Sequence, residues 1–199
     1  FSFLYTGVNF LRMGTTGIAA QRFGAEDFDG LRVSLGQALV VAQLIAVTVI
    51  LLQWPVGQVA MKLLGADGAL REYALEYFYI RIWSAPGTLA NFVMIGWFLG
   101  LQNARVPLIV FLTINLTNIA LDLLFVLVIG MKIDGVALAS VIAEYTGLAV
   151  AVYFAARELR KHRGHWPLEK FVNIREYAAF LSVNANLFVR TMALIFTIA

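Results

Sequence analysis

The stretch TINLTNIALDLLFVLVIG, residues 113–130, decides the fold class of this protein. It lies in an apolar run from residue 106 to residue 131, in which Asp122 is the only acidic or basic side chain. A helix needs about 20 mostly apolar residues to cross a hydrocarbon core that is roughly 30 Å thick. The run is long enough, so it predicts a transmembrane helix that carries a carboxyl group.

The rest of the chain has the same apolar character. Of its 199 residues, 61% are hydrophobic and 14% are charged, and the mean hydropathy is +0.81. A soluble domain has about 25% charged residues. We therefore expect an all-α, polytopic membrane helix bundle of about six transmembrane helices. The expected spans are residues 1–21, 38–59, 73–101, 106–131, 135–156 and 177–199.

Both ends of the chain lie inside apolar runs. Residue 1 is Phe, with no initiator Met or basic flank, and the chain stops in RTMALIFTIA. These features predict a fragment of a longer polypeptide without a signal peptide. The sequence contains no cysteine, which excludes disulfide bonds and thiol chemistry.

The basic residues are unevenly divided between alternate loops. The first, third and fifth loops hold Arg22, Arg32, Arg105, Arg157, Arg160, Lys161, Arg163, Lys170 and Arg175, whereas the second and fourth hold Lys62, Arg71 and Lys132. Cytoplasmic loops of membrane proteins are enriched in Lys and Arg. We therefore expect the odd loops in the cytoplasm, with the chain crossing the membrane several times. Topology also explains the net charge of +3 without a nucleic-acid partner.

The longest predicted loop, residues 157–176, is also the most basic. It is long enough either for an amphipathic helix at the membrane interface or for a solvated connector. His162 and His165 lie among cations in this loop, and their pattern favours surface histidines over a metal site.

Three polar residues share one face of the 106–131 helix. Asn115, Asn118 and Asp122 follow the spacing i, i+3, i+7, which places them within a narrow arc. An ionisable residue in a membrane helix costs about 3 kcal/mol by insertion scales, so this face should point inward. The amides can simply join two helices. A carboxyl group there can instead exchange a proton, or hold Na⁺ together with amide oxygens, and either chemistry belongs to ion-coupled transport.

Glu144 is the only acidic or basic residue in the run 135–156. Ser140 and Gly147 lie one turn away on the same face, where small side chains let another helix approach. Two interpretations stay open, a role in coupling or substrate contact and a structurally paired acid. In GWFLG, Gly96 and Gly100 form a similar small-residue pair, a general sign of close helix packing.

Three motifs in order carry a family resemblance: TTGIAAQRFGAED at 15–27, GLQNARVPLIV at 100–110, and NIALDLLFV at 118–126 followed by DGVALASVIAEY at 134–145. Their order and spacing resemble the multidrug and toxic compound extrusion (MATE) transporters, in particular the DinF (DNA-damage-inducible protein F) branch. The resemblance covers essentially the whole chain. It implies two six-helix lobes, of which residues 1–156 are helices two to six of the N-terminal lobe. Residues 157–176 would then be the inter-lobe loop, and residues 177–199 the start of helix seven.

The same resemblance implies a function and a site. Asp122 matches the acidic residue of helix five that couples transport to a cation, with Asn118 as its neighbour in the cavity. A further aspartate of the family lies on helix one, which this sequence does not contain. The implied protein is a secondary active transporter, a monomer in the lipid bilayer. It needs no cofactor and exports organic cations, drugs or other amphipathic compounds by H⁺ or Na⁺ antiport through alternating access.

Two other functions compete with antiport. A lipid-linked precursor flippase of the same superfamily would need several cations in its cavity, whereas the spans contain only Arg12, Arg81 and Arg190. A membrane-embedded enzyme would use Asp122 and Glu144 as paired acids. The chain has no HExxH, no GxSxG and no histidine in any span, so we expect no enzyme.

Overall fold

The computed structural model describes residues 10–63, 65, 68–162, 164–166 and 177. This part of the chain contains helices and turns and no strand. Its helices are α1 (Phe10–Gly24), α2 (Phe28–Leu51), α3 (Gln53–Leu63), α4 (Gly68–Arg81), α5 (Ala85–Gly100), α6 (Arg105–Asp122) and α7 (Ile133–Lys161). A 3₁₀ turn, Ile82–Ser84, joins α4 to α5, and a π-helical segment, Leu123–Val128, extends α6. The expected all-α membrane bundle is confirmed.

Four stretches of the described chain are long and apolar enough to cross a membrane. They are Phe28–Leu51, Arg71–Gly100, Arg105–Val128 and Ile133–Lys161. The last three correspond to the spans predicted at 73–101, 106–131 and 135–156. Apart from Tyr177, the span predicted at 177–199 lies outside the described residues, as does the start of the one predicted at 1–21.

The span predicted at 38–59 is wrong in its limits, because α2 begins ten residues earlier and ends at Leu51. Asp27 starts the helix: its Oδ1 accepts a hydrogen bond from the Gly30 N–H at 2.8 Å, as an N-cap residue does. Pro55 ends it, since proline has no N–H to donate to the carbonyl of Leu51. Proline is tolerated in the first turn of a helix, and α3 accordingly starts at Gln53.

Arg32, predicted as a loop cation, is instead buried in α2 and caps the end of α7. Its side chain is satisfied by backbone carbonyls: Nη2 donates to Leu159 and His162, both at 2.7 Å, and Nη1 donates to Phe28 at 2.9 Å. Three carbonyls offset the loss of hydration of a buried guanidinium. The polar start of α2 hid this role in the sequence, because a cation beside Asp27 and Asp29 reads as a surface residue.

The basic segment predicted as a loop at 157–176 also begins inside a helix, since α7 continues five residues past the expected end at residue 156. Arg157, Arg160 and Lys161 therefore project from its last turns. Cations at this position interact favourably with the C-terminal end of the helix dipole.

The core is organised around α5, which packs against α1, α2 and α7. Trp97, Phe98 and Val93 are among its completely buried side chains. In the apolar stretch of the Arg71–Gly100 span 78% of the residues are buried, whereas in that of the Arg105–Val128 span 6% are buried. Helix α5 is therefore the centre of the described bundle, and α6 forms its outer wall against α7.

Candidate functional site

The predicted site residues lie on α6 and α7, which pack against each other in opposite directions. Asn118 Nδ2 donates to Ser140 Oγ at 3.1 Å. Four residues earlier on α6, Ile114 contacts Gly147, which lies seven residues later on α7. The two helices are therefore antiparallel.

Asp122 lies one turn beyond the hydrogen bond between Asn118 and Ser140, and we call these three residues the Asp122 cluster. The Oδ1 atom of Asp122 is buried and has no hydrogen-bond partner among the described residues. A buried acceptor without a donor carries the full cost of its lost hydration. This oxygen is therefore available to a proton, a cation or a donor from a group outside the described chain.

Asn115 shares the face of Asn118 and Asp122 but makes a different contact. Its Nδ2 donates to the backbone oxygen of Phe111 at 2.8 Å, and the residue is exposed. The structure thus joins Asn118 to Ser140 and places Asp122 one turn further along α6, whereas the hydrogen bond of Asn115 is made within α6. A role for Asn115 in the site stays a prediction.

Glu144 belongs to a second cluster, which connects α7 to α4 and α5. Its Oε2 accepts a hydrogen bond from Asn91 Nδ2 at 3.0 Å, and the same Nδ2 donates to the Glu144 backbone oxygen at 2.9 Å. Arg81 Nη2 lies 3.7 Å from Glu144 Oε1, and Arg81 Nη1 donates to Ser84 Oγ. The two charged side chains are 13% and 14% exposed. Of the two interpretations of Glu144, this geometry favours the paired acid.

The two carboxyl groups are separated along the helix axis. Because Asn118 faces Ser140, Asp122 lies level with about Val136, whereas Glu144 is eight residues further along α7. At 1.5 Å per residue this is about 12 Å. Acids that share a proton or a substrate atom must be much closer, so the structure does not support the paired-acid enzyme.

Sequence reasoning missed Asn91 and Thr88, both of which are buried in α5. Asn91 is 2% exposed, and its Oδ1 has no hydrogen-bond partner in the described part of the chain; the same holds for Thr88 Oγ1. An amide within the apolar run GTLANFVMIGW was a signal that could have identified Asn91. Its partner could not be inferred, because Glu144 lies 53 residues later.

The residues covered by the structure hold no group of three or more His, Cys, Asp or Glu side chains that could bind a metal ion. His162, which the sequence places on the surface, packs with its ring 4.5 Å from that of Phe28. Its Nε2 lies 3.6 Å from Glu158 Oε1. It therefore helps to attach the end of α7 to the start of α2.

Comparison with known proteins shows where this fold occurs. The DNA damage-inducible protein F of Escherichia coli K12 is 35% identical over 193 residues, which are 97% of this chain and 42% of that protein. Protein DETOXIFICATION 43 of Arabidopsis thaliana is 33% identical over 86 residues, 43% of this chain and 16% of that protein. The chain thus spans less than half the length of these relatives.

Solved structures share the arrangement of the helices. A MATE structure in the bent conformation superposes with a TM-score of 0.85 and 22% identity over 97% of this chain and 43% of that one. The MATE transporter ClbM in complex with Rb⁺ gives a TM-score of 0.79 and 24% identity over 98% of this chain and 41% of that one. At these identities the likeness concerns the fold alone.

The family itself is decided by the sequence pattern. The pattern described as MatE matches residues 1–124, which is more than half of the chain. The chain therefore belongs to the MatE family.

Proposed function

We propose that the protein of which this chain is a part is a cation-coupled antiporter. It exports organic cations, drugs or other amphipathic compounds by alternating access, and it is driven by H⁺ or Na⁺. The observation that carries the proposal is the buried Oδ1 of Asp122, which has no hydrogen-bond partner among the described residues and lies one turn along α6 from the Asn118–Ser140 hydrogen bond. Oxygen atoms in this arrangement suit a proton or a hard monovalent cation.

Each residue of the Asp122 cluster has a defined part in this proposal. Asp122 binds the coupling ion through its carboxylate. Asn118 uses its amide nitrogen to bond Ser140, which leaves its carbonyl oxygen to face a cation. Ser140 adds a hydroxyl oxygen from the neighbouring helix. An ion held there joins α6 to α7, and its release removes that connection.

The backbone next to Asp122 is suited to a change in packing. Directly after Asp122 the chain leaves the α-helical pattern, and Ile129 N donates to Leu124 O at 3.0 Å, five residues back. A π-helical segment interrupts the regular ladder of helical hydrogen bonds, and π-bulges in α-helices occur frequently at functional sites. Ion binding at Asp122 can therefore shift the outer end of α6 without unfolding it.

The similar structures add weight to a cation site. One of them, ClbM, contains Rb⁺, a monovalent cation of the class proposed here. We further propose that the protein is a monomer in the bacterial inner membrane. The odd loops then lie in the cytoplasm, because Lys and Arg are concentrated in them.

The flippase alternative is weaker. Its diphosphate substrate needs free cations in the cavity, but Arg81 is paired with Glu144. A flippase would lose activity when Arg81 is replaced by Gln, whereas an ion-coupled antiporter that uses Asp122 would keep its ion dependence.

Dye efflux from energised vesicles tests the proposed function in the full-length protein. Wild type, Asp122→Asn and Asp134→Asn are compared under separately imposed H⁺ and Na⁺ gradients. Asp134 is the matched control, because its Oδ1 accepts from the Lys132 N–H at the end of the membrane span and the same substitution there spares the Asp122 cluster. We expect efflux to fall at least about tenfold in Asp122→Asn under one of the gradients, which identifies the ion. Unchanged efflux under both gradients would reject the coupling role.

A further inference from the structure

A cavity opens between the start of α6 and the end of α7, away from the Asp122 cluster. It has a volume of about 200 Å³. Arg105 contributes from the first turn of α6, and Arg157, Glu158 and Lys161 contribute from the last turns of α7. These ends of the two helices belong to the face for which the Lys and Arg distribution predicts contact with the cytoplasm.

The charges around this cavity are not balanced. Among the described residues that line the cavity, Glu158 is the only acid, and its Oε2 lies 2.6 Å from Lys161 Nζ. Neither Arg105 nor Arg157 has a carboxylate within 4.0 Å in the part of the chain that the structure describes. Two guanidinium groups from different helices thus face one cavity without an acidic partner, and guanidinium groups can bind phosphate in a bidentate manner.

The other wall of the cavity is apolar and continues along the membrane-spanning surface. Val106, Ile109 and Phe154 line the cavity beside the arginines. Beyond them, exposed apolar side chains continue along α6, among them Leu108 and Leu112. A ligand that fills this site has an anionic head at the arginines and a long apolar part along α6.

We propose that the cavity between Arg105 and Arg157 is a binding site for the headgroup of an anionic phospholipid. Its phosphate contacts both arginines, and an acyl chain lies against the exposed apolar side chains of α6. Basic pockets between helices at the cytoplasmic side of a membrane recognise anionic lipids in this way. A free phosphate ion would use the arginines alone and gain nothing from the apolar wall. The bound lipid links the two helices that hold the Asp122 cluster.

Native mass spectrometry of the full-length protein in detergent tests this site, with phosphatidylglycerol as the probe and phosphatidylcholine as the neutral comparison. The variant is Arg105→Gln with Arg157→Gln. The matched control is Lys132→Gln with Arg160→Gln, which removes the same charge from residues outside the cavity. Each cation near an anionic lipid contributes about fivefold in affinity, so we expect the site variant to bind phosphatidylglycerol at least about tenfold more weakly. The control should stay within about twofold of wild type.

Two further arms identify the ligand and exclude misfolding. Glycerol phosphate and inorganic phosphate, at the same concentrations, should not displace phosphatidylglycerol from wild type; displacement by either would show a phosphate site and overturn the lipid assignment. Arg105→Lys with Arg157→Lys keeps both charges and should retain most of the preference over phosphatidylcholine. Equal weakening in the site variant and the control, or a wild type that binds both lipids alike, would also overturn the proposal.

Discussion

At the scale of single residues, the spacing of polar side chains predicted the Asp122 cluster in part. The arc shared by Asn118 and Asp122 is a property of one helix, so it can be read from the sequence. The bond to Ser140 and the separate bond of Asn115 to Phe111 depend on how α7 packs. The same limit hid the partners of Glu144, since Arg81 and Asn91 lie on other helices.

The pair between Arg81 and Glu144 gives a residue-scale prediction. Removing one partner of a mostly buried ion pair leaves the other charge without compensation. We expect Glu144→Gln and Arg81→Gln each to lower the free energy of unfolding by about 1–3 kcal/mol. The double variant should recover part of the loss, which a double-mutant cycle in thermal unfolding measures. Strictly additive losses would show that the two groups do not interact.

At the scale of helices, small residues and caps decide which elements meet. Gly96 and Gly100 predicted a close approach, and the structure identifies α1 as the partner: a Cβ on Gly96 would collide with the backbone oxygen of Arg12, and one on Gly100 would lie 2.6 Å from Ala19 Cβ. The limits of α2 were harder to predict from hydropathy. They are set by the N-cap at Asp27 and by the missing N–H of Pro55, and neither feature changes the apolar character of the segment. Apolar length located the spans but not their ends.

The contact between α1 and α5 predicts a large effect from one methyl group. Gly96→Ala should lower the free energy of unfolding by about 1–3 kcal/mol, because α1 must move away from α5. Gly17→Ala is the control, since nothing lies within 4 Å of a Cβ there and alanine favours the helix. Thermal unfolding in detergent measures both. A stability of Gly96→Ala equal to that of Gly17→Ala would contradict the close packing.

The cap that Arg32 provides predicts local opening at the end of α7. In Arg32→Gln the carbonyls of Leu159 and His162 lose their shared donor. We expect amide hydrogen exchange around residues 157–162 to accelerate at least about tenfold, with a loss of about 1–3 kcal/mol in stability. Arg22→Gln, which breaks the exposed pair with Asp27, should cost less than about 1 kcal/mol and leave α7 protected. Unchanged exchange in Arg32→Gln would refute the cap.

At the scale of the whole molecule, composition and the lengths of the apolar runs predicted a polytopic helical membrane protein, and ordered motifs predicted its family. Both predictions are confirmed. The length of an apolar run and the spacing of motifs are local properties, so they can be read from the sequence without knowing how the helices pack. The distribution of burial was not predictable: α5 is enclosed by three helices, while α6 is exposed along most of its length. Which apolar span becomes the core depends on packing between segments that look alike in hydropathy.

The measurement that tests the central claim most directly is infrared difference spectroscopy of the full-length protein in lipid, recorded during a pH titration and on addition of Na⁺. The method observes the protonated carboxyl group itself, so it reads ion binding at Asp122 independently of transport. We predict a carboxyl signal that responds to pH or to Na⁺ in wild type and in Asp134→Asn, and that is absent in Asp122→Asn. The same responding signal in Asp122→Asn would contradict the account, because the coupling ion would then bind elsewhere.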